Sequence, residues 1–162
     1  MNLLQKYIDI YKPKEPILTE EEIKSLQWQK GEWSDGAAEF VQYQNCGAAF
    51  CHEQSMYDKL TGWARDCANT YALQREFTIN GGSSPRFNRY VEGEFMEKHN
   101  DHIYSCFDGS QKGIPIISII GVLNENYEGG DLIFYLGGEE YAPKLKTGDT
   151  IVFPSAFPWA HE

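Results

Sequence analysis

Apolar positions recur at three- and four-residue steps through Met56, Leu60, Trp63, Ala64, Cys67 and Tyr71, which places them on one face of a helix. That stripe reads as core packing. A shorter helix is expected before it, opened by the capping-box pattern Thr19-x-x-Glu22, with Ile23 and Leu26 facing inward. Residues 30–36 read as a loop and residues 38–43 as a strand. From Phe77 onward the pattern changes to short extended segments separated by turn residues. Residues 86–91 and 94–99 form two such segments joined at Gly93. Residues 114–123, rich in isoleucine, read as a buried strand. Gly129-Gly130, Gly137-Gly138 and Thr147-Gly148-Asp149 are turns, with strands expected at 131–136, 139–142 and 150–153. Helices first and strands afterwards predict an α+β fold, with a helical part over 1–76 packed on a jelly-roll-like core over 77–162.

The 162 residues suit a single domain, and 41% hydrophobic and 14% aromatic content supplies a core or a lined pocket. No run reaches the length of a membrane span, and residues 1–16 lack the apolar block of a signal peptide, so a cytoplasmic protein without a membrane partner is expected. Acidic residues outnumber basic ones 24 to 14, for a net charge of −10. Such a surface repels a phosphate backbone, and Arg86 with Arg89 is too small a basic concentration to reverse it, so nucleic acid is not expected as a partner. Cys46, Cys51, Cys67 and Cys106 match no zinc spacing and read as buried reduced thiols.

The candidate chemistry lies in Phe95-Met96-Glu97-Lys98-His99-Asn100-Asp101-His102. In an extended chain, His99 and Asp101 project to one side, where an imidazole and a carboxylate can share an ion. H-x-D alone also describes an ordinary strand histidine. His161, just beyond the last strand, is the candidate third ligand. Two histidines and one carboxylate make a facial triad, whose usual metal is Fe(II), with three coordination positions left open. Glu97 could stand in for the carboxylate, but precedes His99. His102 reads as a pocket or surface histidine, His52 as exposed or capping. Trp159 is a candidate for the substrate mouth, although a core or surface aromatic is the commoner case.

Three further stretches appear in order: Arg86-Phe87-Asn88-Arg89-Tyr90; Gly121-Val122-Leu123-Asn124 followed by Tyr127-Glu128-Gly129-Gly130-Asp131-Leu132-Ile133-Phe134; and Lys146-Thr147-Gly148-Asp149 followed by Ile151-Val152-Phe153-Pro154-Ser155. Together with His99, Asp101 and His161 they resemble the 2-oxoglutarate- and Fe(II)-dependent dioxygenases, specifically the prolyl 4-hydroxylase-like group, over residues 86–162. The resemblance implies a double-stranded β-helix with iron on His99, Asp101 and His161. It implies 2-oxoglutarate as co-substrate, L-ascorbate as reductant, and succinate and carbon dioxide as products. The reaction would hydroxylate an aliphatic carbon, in a peptidyl proline or a related amino-acid residue of a peptide, a protein or a free amino acid. Tyr90 matches the position that meets the far carboxylate of 2-oxoglutarate; a packed strand tyrosine is the competing reading.

One departure stands out. The family carries an arginine or lysine several residues past the distal histidine, and this sequence ends at Glu162. A C-terminally incomplete β-helix, missing its last strands, is the preferred expectation. A variant using Arg89, Lys144 or Lys146 is the rival, although each reads more simply as a solvated surface charge. The alternative function is a catalytically impaired jelly-roll binding module retaining a relic metal site. A nucleic-acid demethylase of the same superfamily is disfavoured by the acidic balance.

Overall fold

The structure, a computed structural model, describes residues 3–31, 44–101 and 114–162. The strand expected at 38–43, His102 and Cys106 lie outside the described residues, as does part of the 30–36 loop. The described chain is mixed α+β, with helices α1 (Leu3–Tyr7), α2 (Glu20–Lys24) and α3 (Gln54–Gln74). Its strands are β1 (Asp9–Tyr11), β2 (Gln29–Gly31), β3 (Gln44–Phe50), β4 (Arg86–Arg89), β5 (Phe95–Met96), β6 (Ile117–Gly121), β7 (Phe134–Leu136), β8 (Glu139–Tyr141), β9 (Thr150–Pro154) and β10 (Ala160–His161). They form three antiparallel sheets: β1-β9-β6; β10-β7-β8; and β2-β3-β4, with β5 also on β3.

The local rules act where the sequence places them. Thr19 caps α2 reciprocally: its Oγ1 accepts from the Glu22 amide at 3.2 Å, and its own amide donates to the Glu22 carboxylate at 2.7 Å. Leu26 is buried, and Ile23 packs beside it. On α3, Met56 and Leu60 pack with Leu18, Ala49 and Phe87 in one core cluster. Gly137 and Gly138, with φ of 59° and 86°, make the two-residue turn between β7 and β8; positive φ at both central positions matches the strands' twist.

Two expectations need correction. The first half is not simply helical, since it also holds β1, β2 and β3. β1 joins the sheet of β9 in the register Asp9↔Val152 and Tyr11↔Thr150, so the N-terminal segment completes a sheet of the second half. The isoleucine-rich strand is also not buried: Ile114, Ile116 and Ile120 are 62%, 45% and 37% exposed. The reason is topological. β6 ends the order β1-β9-β6, and among the described residues it pairs only with β9.

A second cluster supports the C-terminal sheets: Leu4, Ile8, Phe134, Ile151 and Phe153, all buried. Phe134 and Phe153 meet edge-to-face with centroids 4.7 Å apart. Helix α3 braces this region from outside. Trp63 Nε1 donates to Thr150 Oγ1 at 3.2 Å, and a Cβ at Gly121 would fall 3.1 Å from the Trp63 ring. At the helix end, Arg75 grips Asp9 with two bonds of 2.8 Å and lies over the Tyr71 ring. Cys46 is buried and Cys51 and Cys67 are half-buried thiols. No helix among the described residues is long and apolar enough to cross a membrane.

Phe153→Ala removes a fully buried ring from the second cluster. We expect it to destabilise the protein by about 3–5 kcal/mol, read from urea unfolding; an unchanged unfolding midpoint would contradict the assignment of Phe153 to the core.

Candidate metal centre

After β5 the chain bends at Lys98 and meets β10 in a single antiparallel bridge. The amide of His99 donates to the His161 carbonyl and the amide of His161 donates to the His99 carbonyl, each at 2.9 Å. Residues directly opposed in an antiparallel pair project to the same face, so this bridge brings the two imidazoles together, with ring centroids 4.3 Å apart. Asp101, two residues on, falls on that face too, and its amide donates to the Ser155 carbonyl at 2.9 Å. The end of β9 thereby holds the backbone of the ligand segment.

Asp101 Oδ1 stands 3.3 Å from His99 Nε2 and 3.8 Å from His161 Nε2. One donor atom from each residue lies within 4.8 Å of the others. Donors about 2.1 Å from one ion are separated by about 3.0 Å at right angles and somewhat more in a tetrahedron. The two Asp101 separations come within about 1 Å of these values, and the widest separation in the group, at most 4.8 Å, would have to close by up to about 1.8 Å; with that movement the donor set fits a divalent ion.

Neighbouring groups prepare each ligand. The Glu97 carbonyl lies 2.7 Å from His99 Nδ1. A carbonyl only accepts, so Nδ1 carries the proton and the lone pair of the neutral ring sits on Nε2, facing Asp101. Asp101 Oδ2 accepts from the Ser118 hydroxyl. The His161 ring rests on Phe153 at 4.9 Å and Phe134 at 6.0 Å. Its Nδ1 is buried and makes no hydrogen bond of ordinary geometry among the described residues, the Trp159 carbonyl being the backbone group that bears on it.

The charges follow from this asymmetry. Burial pulls His161 down to about 4, outweighing Asp101, and His99 pushes the same way as burial, so the ring is neutral near neutral pH. Burial also works against charge on His99, but the Asp101 carboxylate and the Glu97 carbonyl outweigh it and leave its pKa above 6.5. Burial works against the Asp101 carboxylate too, yet bonds from His99 and Ser118, with both imidazoles nearby, hold its pKa below 3.8. The metal-free site thus favours a proton between Asp101 and His99, at the point where a cation would sit.

The other expected residues fall outside this group. Tyr90 is 44% exposed, its hydroxyl directed at Met96 Sδ at 3.7 Å. The Glu97 side chain is exposed; its contribution is the backbone carbonyl. His52 is exposed, as expected. Trp159 is half-buried against the Tyr7 ring at 5.3 Å and packs on the second core cluster. Ser118, Ser155 and the Glu97 carbonyl were missed by sequence reasoning. A lone hydroxyl within Ile116-Ile117-Ser118-Ile119-Ile120 was the available signal for Ser118; nothing marked the other two. Compared with protein-family models and with curated proteins, the chain matches none.

Metal binding has to displace the proton on His99, whose raised pKa extends that competition above the ordinary histidine range. Mn(II) affinity is therefore expected to weaken as pH falls from about 8 to about 6, by up to about tenfold per unit where His99 is protonated. Calorimetric titration checks this, and pH-independent affinity would contradict the site. Asp101→Ala is expected to abolish binding in the same titration.

Proposed function

We propose that this chain is an Fe(II)- and 2-oxoglutarate-dependent dioxygenase that hydroxylates an aliphatic carbon, in a peptidyl proline or a related residue. The reading rests on one observation, the convergence of His99, Asp101 and His161 on a single point. Two imidazoles and one carboxylate are the donor set of non-haem Fe(II) oxygenases, whereas closed structural zinc sites use four protein ligands. The order of motifs resembling the prolyl 4-hydroxylase-like group supports it. So do the antiparallel pairs β6–β9 and β7–β10, the first bringing Ser118 to Asp101 and the second holding His161 opposite Phe134, an arrangement compatible with a double-stranded β-helix.

Held by His99, Asp101 and His161 and kept ferrous by ascorbate, an iron ion would activate dioxygen, one oxygen atom passing to the substrate C–H bond and the other to 2-oxoglutarate as it loses carbon dioxide to give succinate. The protein's own groups bind and orient. Asp101 contributes the single anionic ligand, so a divalent ion keeps net positive charge and attracts an anionic chelator. The Glu97 carbonyl holds His99 in its ligating tautomer, and Phe134 and Phe153 pack against His161 and keep water from that flank. Tyr90, part-exposed and bonded at its hydroxyl to Met96, Cys46 and Asn88, is the residue offered to the far carboxylate of 2-oxoglutarate. A net charge of −10 suits a neutral or basic peptide substrate over a nucleic acid.

A specific observation favours the second reading, a binding module with a relic metal site. Two of the three candidate cations for the far carboxylate are engaged elsewhere: Arg89 lies over the Trp28 ring at 4.8 Å, and Lys144 pairs with Asp131 at 3.4 Å. Incubation with Fe(II), 2-oxoglutarate, ascorbate and a proline-containing peptide separates the two. The dioxygenase reading expects succinate above a His161→Ala control and a peptide heavier by one oxygen. Anaerobic 2-oxoglutarate binding without succinate would favour the relic module, and neither binding nor turnover would remove both.

A further inference from the structure

Ser118 is the one polar side chain in Ile116-Ile117-Ser118-Ile119-Ile120. A hydroxyl among aliphatic neighbours is costly unless it finds a partner. Its partner is Asp101 Oδ2. The register explains how it arrives there. Ser118 stands opposite Phe153 in the β6–β9 ladder, and opposed side chains share a face. Phe153 on that face packs on His161 at 4.9 Å, so β6, which carries no ligand of its own, presents Ser118 to the metal site. The Asp101 backbone is held separately. Its amide bonds the Ser155 carbonyl at 2.9 Å, and the Ser155 amide bonds the Ile116 carbonyl at 3.2 Å. Backbone bonds set where Asp101 sits, which leaves the turn of its carboxylate to the side chain's own partners.

We propose that Ser118 is a positioning residue that holds Asp101 as a one-oxygen ligand, an inference that rests on the metal-site reading above. Oδ2 is engaged by the hydroxyl, and Oδ1 is the oxygen that stands nearest the two imidazole nitrogens, at 3.3 and 3.8 Å. A carboxylate free to swing can chelate through both oxygens and take a further coordination position. At a centre with three protein donors, that position is one that a two-point chelator and a small third ligand require. Ser118 therefore controls coordination number rather than charge, since Asp101 stays anionic in either orientation.

The test compares wild type, Ser118→Ala and Ser118→Thr, using Mn(II) affinity, the visible spectrum of the Co(II)-loaded protein and 2-oxoglutarate binding to that form. Ser118→Ala is expected to weaken Mn(II) binding by about 10–100-fold, to lower the Co(II) absorption as coordination number rises, and to weaken chelation by 2-oxoglutarate. Ser118→Thr keeps the hydroxyl and is expected to restore all three. Melting of the metal-free proteins controls for folding, and Ser118→Cys, close in size but a poorer donor, replaces the alanine variant if that does not fold. Wild-type affinity and spectrum in Ser118→Ala would overturn the inference while leaving the metal site standing. Equal loss in the alanine and threonine variants would overturn it too, because packing rather than the hydroxyl would be responsible. A wild-type protein that binds neither ion would remove the metal site itself and this inference with it.

Discussion

The two peptide hydrogen bonds between His99 and His161 join segments that are otherwise far apart in the chain, and the site's geometry follows from them. They do more than bring the residues close. In an antiparallel pair the side-chain period is two, so a shift of one residue would carry His161 to the opposite face. β10 is only two residues long, and its register is held on both sides: by His99 on one edge and, on the other, by His161↔Phe134 and Ala160↔Tyr135 on β7, a ladder continued by the reciprocal pair of Glu162 and Ile133 at 2.9 and 3.0 Å. Buried Phe134 and Phe153 then fill the space beneath the imidazole, so a slipped strand would lose packing as well as ladder bonds.

Two chemically identical side chains meet in this site and are shifted in opposite directions. His99 has a carbonyl on one nitrogen and a carboxylate facing the other, an arrangement that favours the imidazolium. His161 lies deeper among aromatic rings, farther from Asp101, with an Nδ1 that finds no well-placed acceptor among the described residues. Protonating both would set two like charges side by side around a single anion. A divalent ion on the two Nε2 atoms and Oδ1 removes the need for either proton, and the resulting charge distribution matches the one Asp101 already favours.

What was legible in the sequence is what short-range rules decide. Thr19 and Glu22 announce a cap three residues apart, paired glycines announce a turn, and the spacing of His99 and Asp101 announces a shared face once the segment is extended. What was not legible depends on register between distant segments. Nothing in Asp9-Ile10-Tyr11 says that it will pair with β9, and nothing in the isoleucine run says which of its faces will be covered. Composition reports that a strand is apolar, whereas burial is set by how many neighbours the sheet provides. Ser118 shows the same limit: its polarity within the run was visible, but the partner that explains it is reached only through β9 and the Asp101–Ser155 bond.

The first half of the chain supplies none of the three ligands, yet it constrains the strand on which they depend. β9 is bordered on one edge by β1 and on the other by β6, so neither edge is left open to admit a shift. Trp63 bonds Thr150 at the start of β9 and lies against Gly121 at the end of β6, where a larger residue would push helix and sheet apart. Arg75 ties the far end of the same helix to Asp9 in β1. Helix α3 thus spans the sheet from one edge strand to the other, fixing β9 before Ser155 reaches Asp101. Preorganisation of this kind matters at a metal site, because donors whose backbones are already fixed on one face lose little further freedom when the ion arrives.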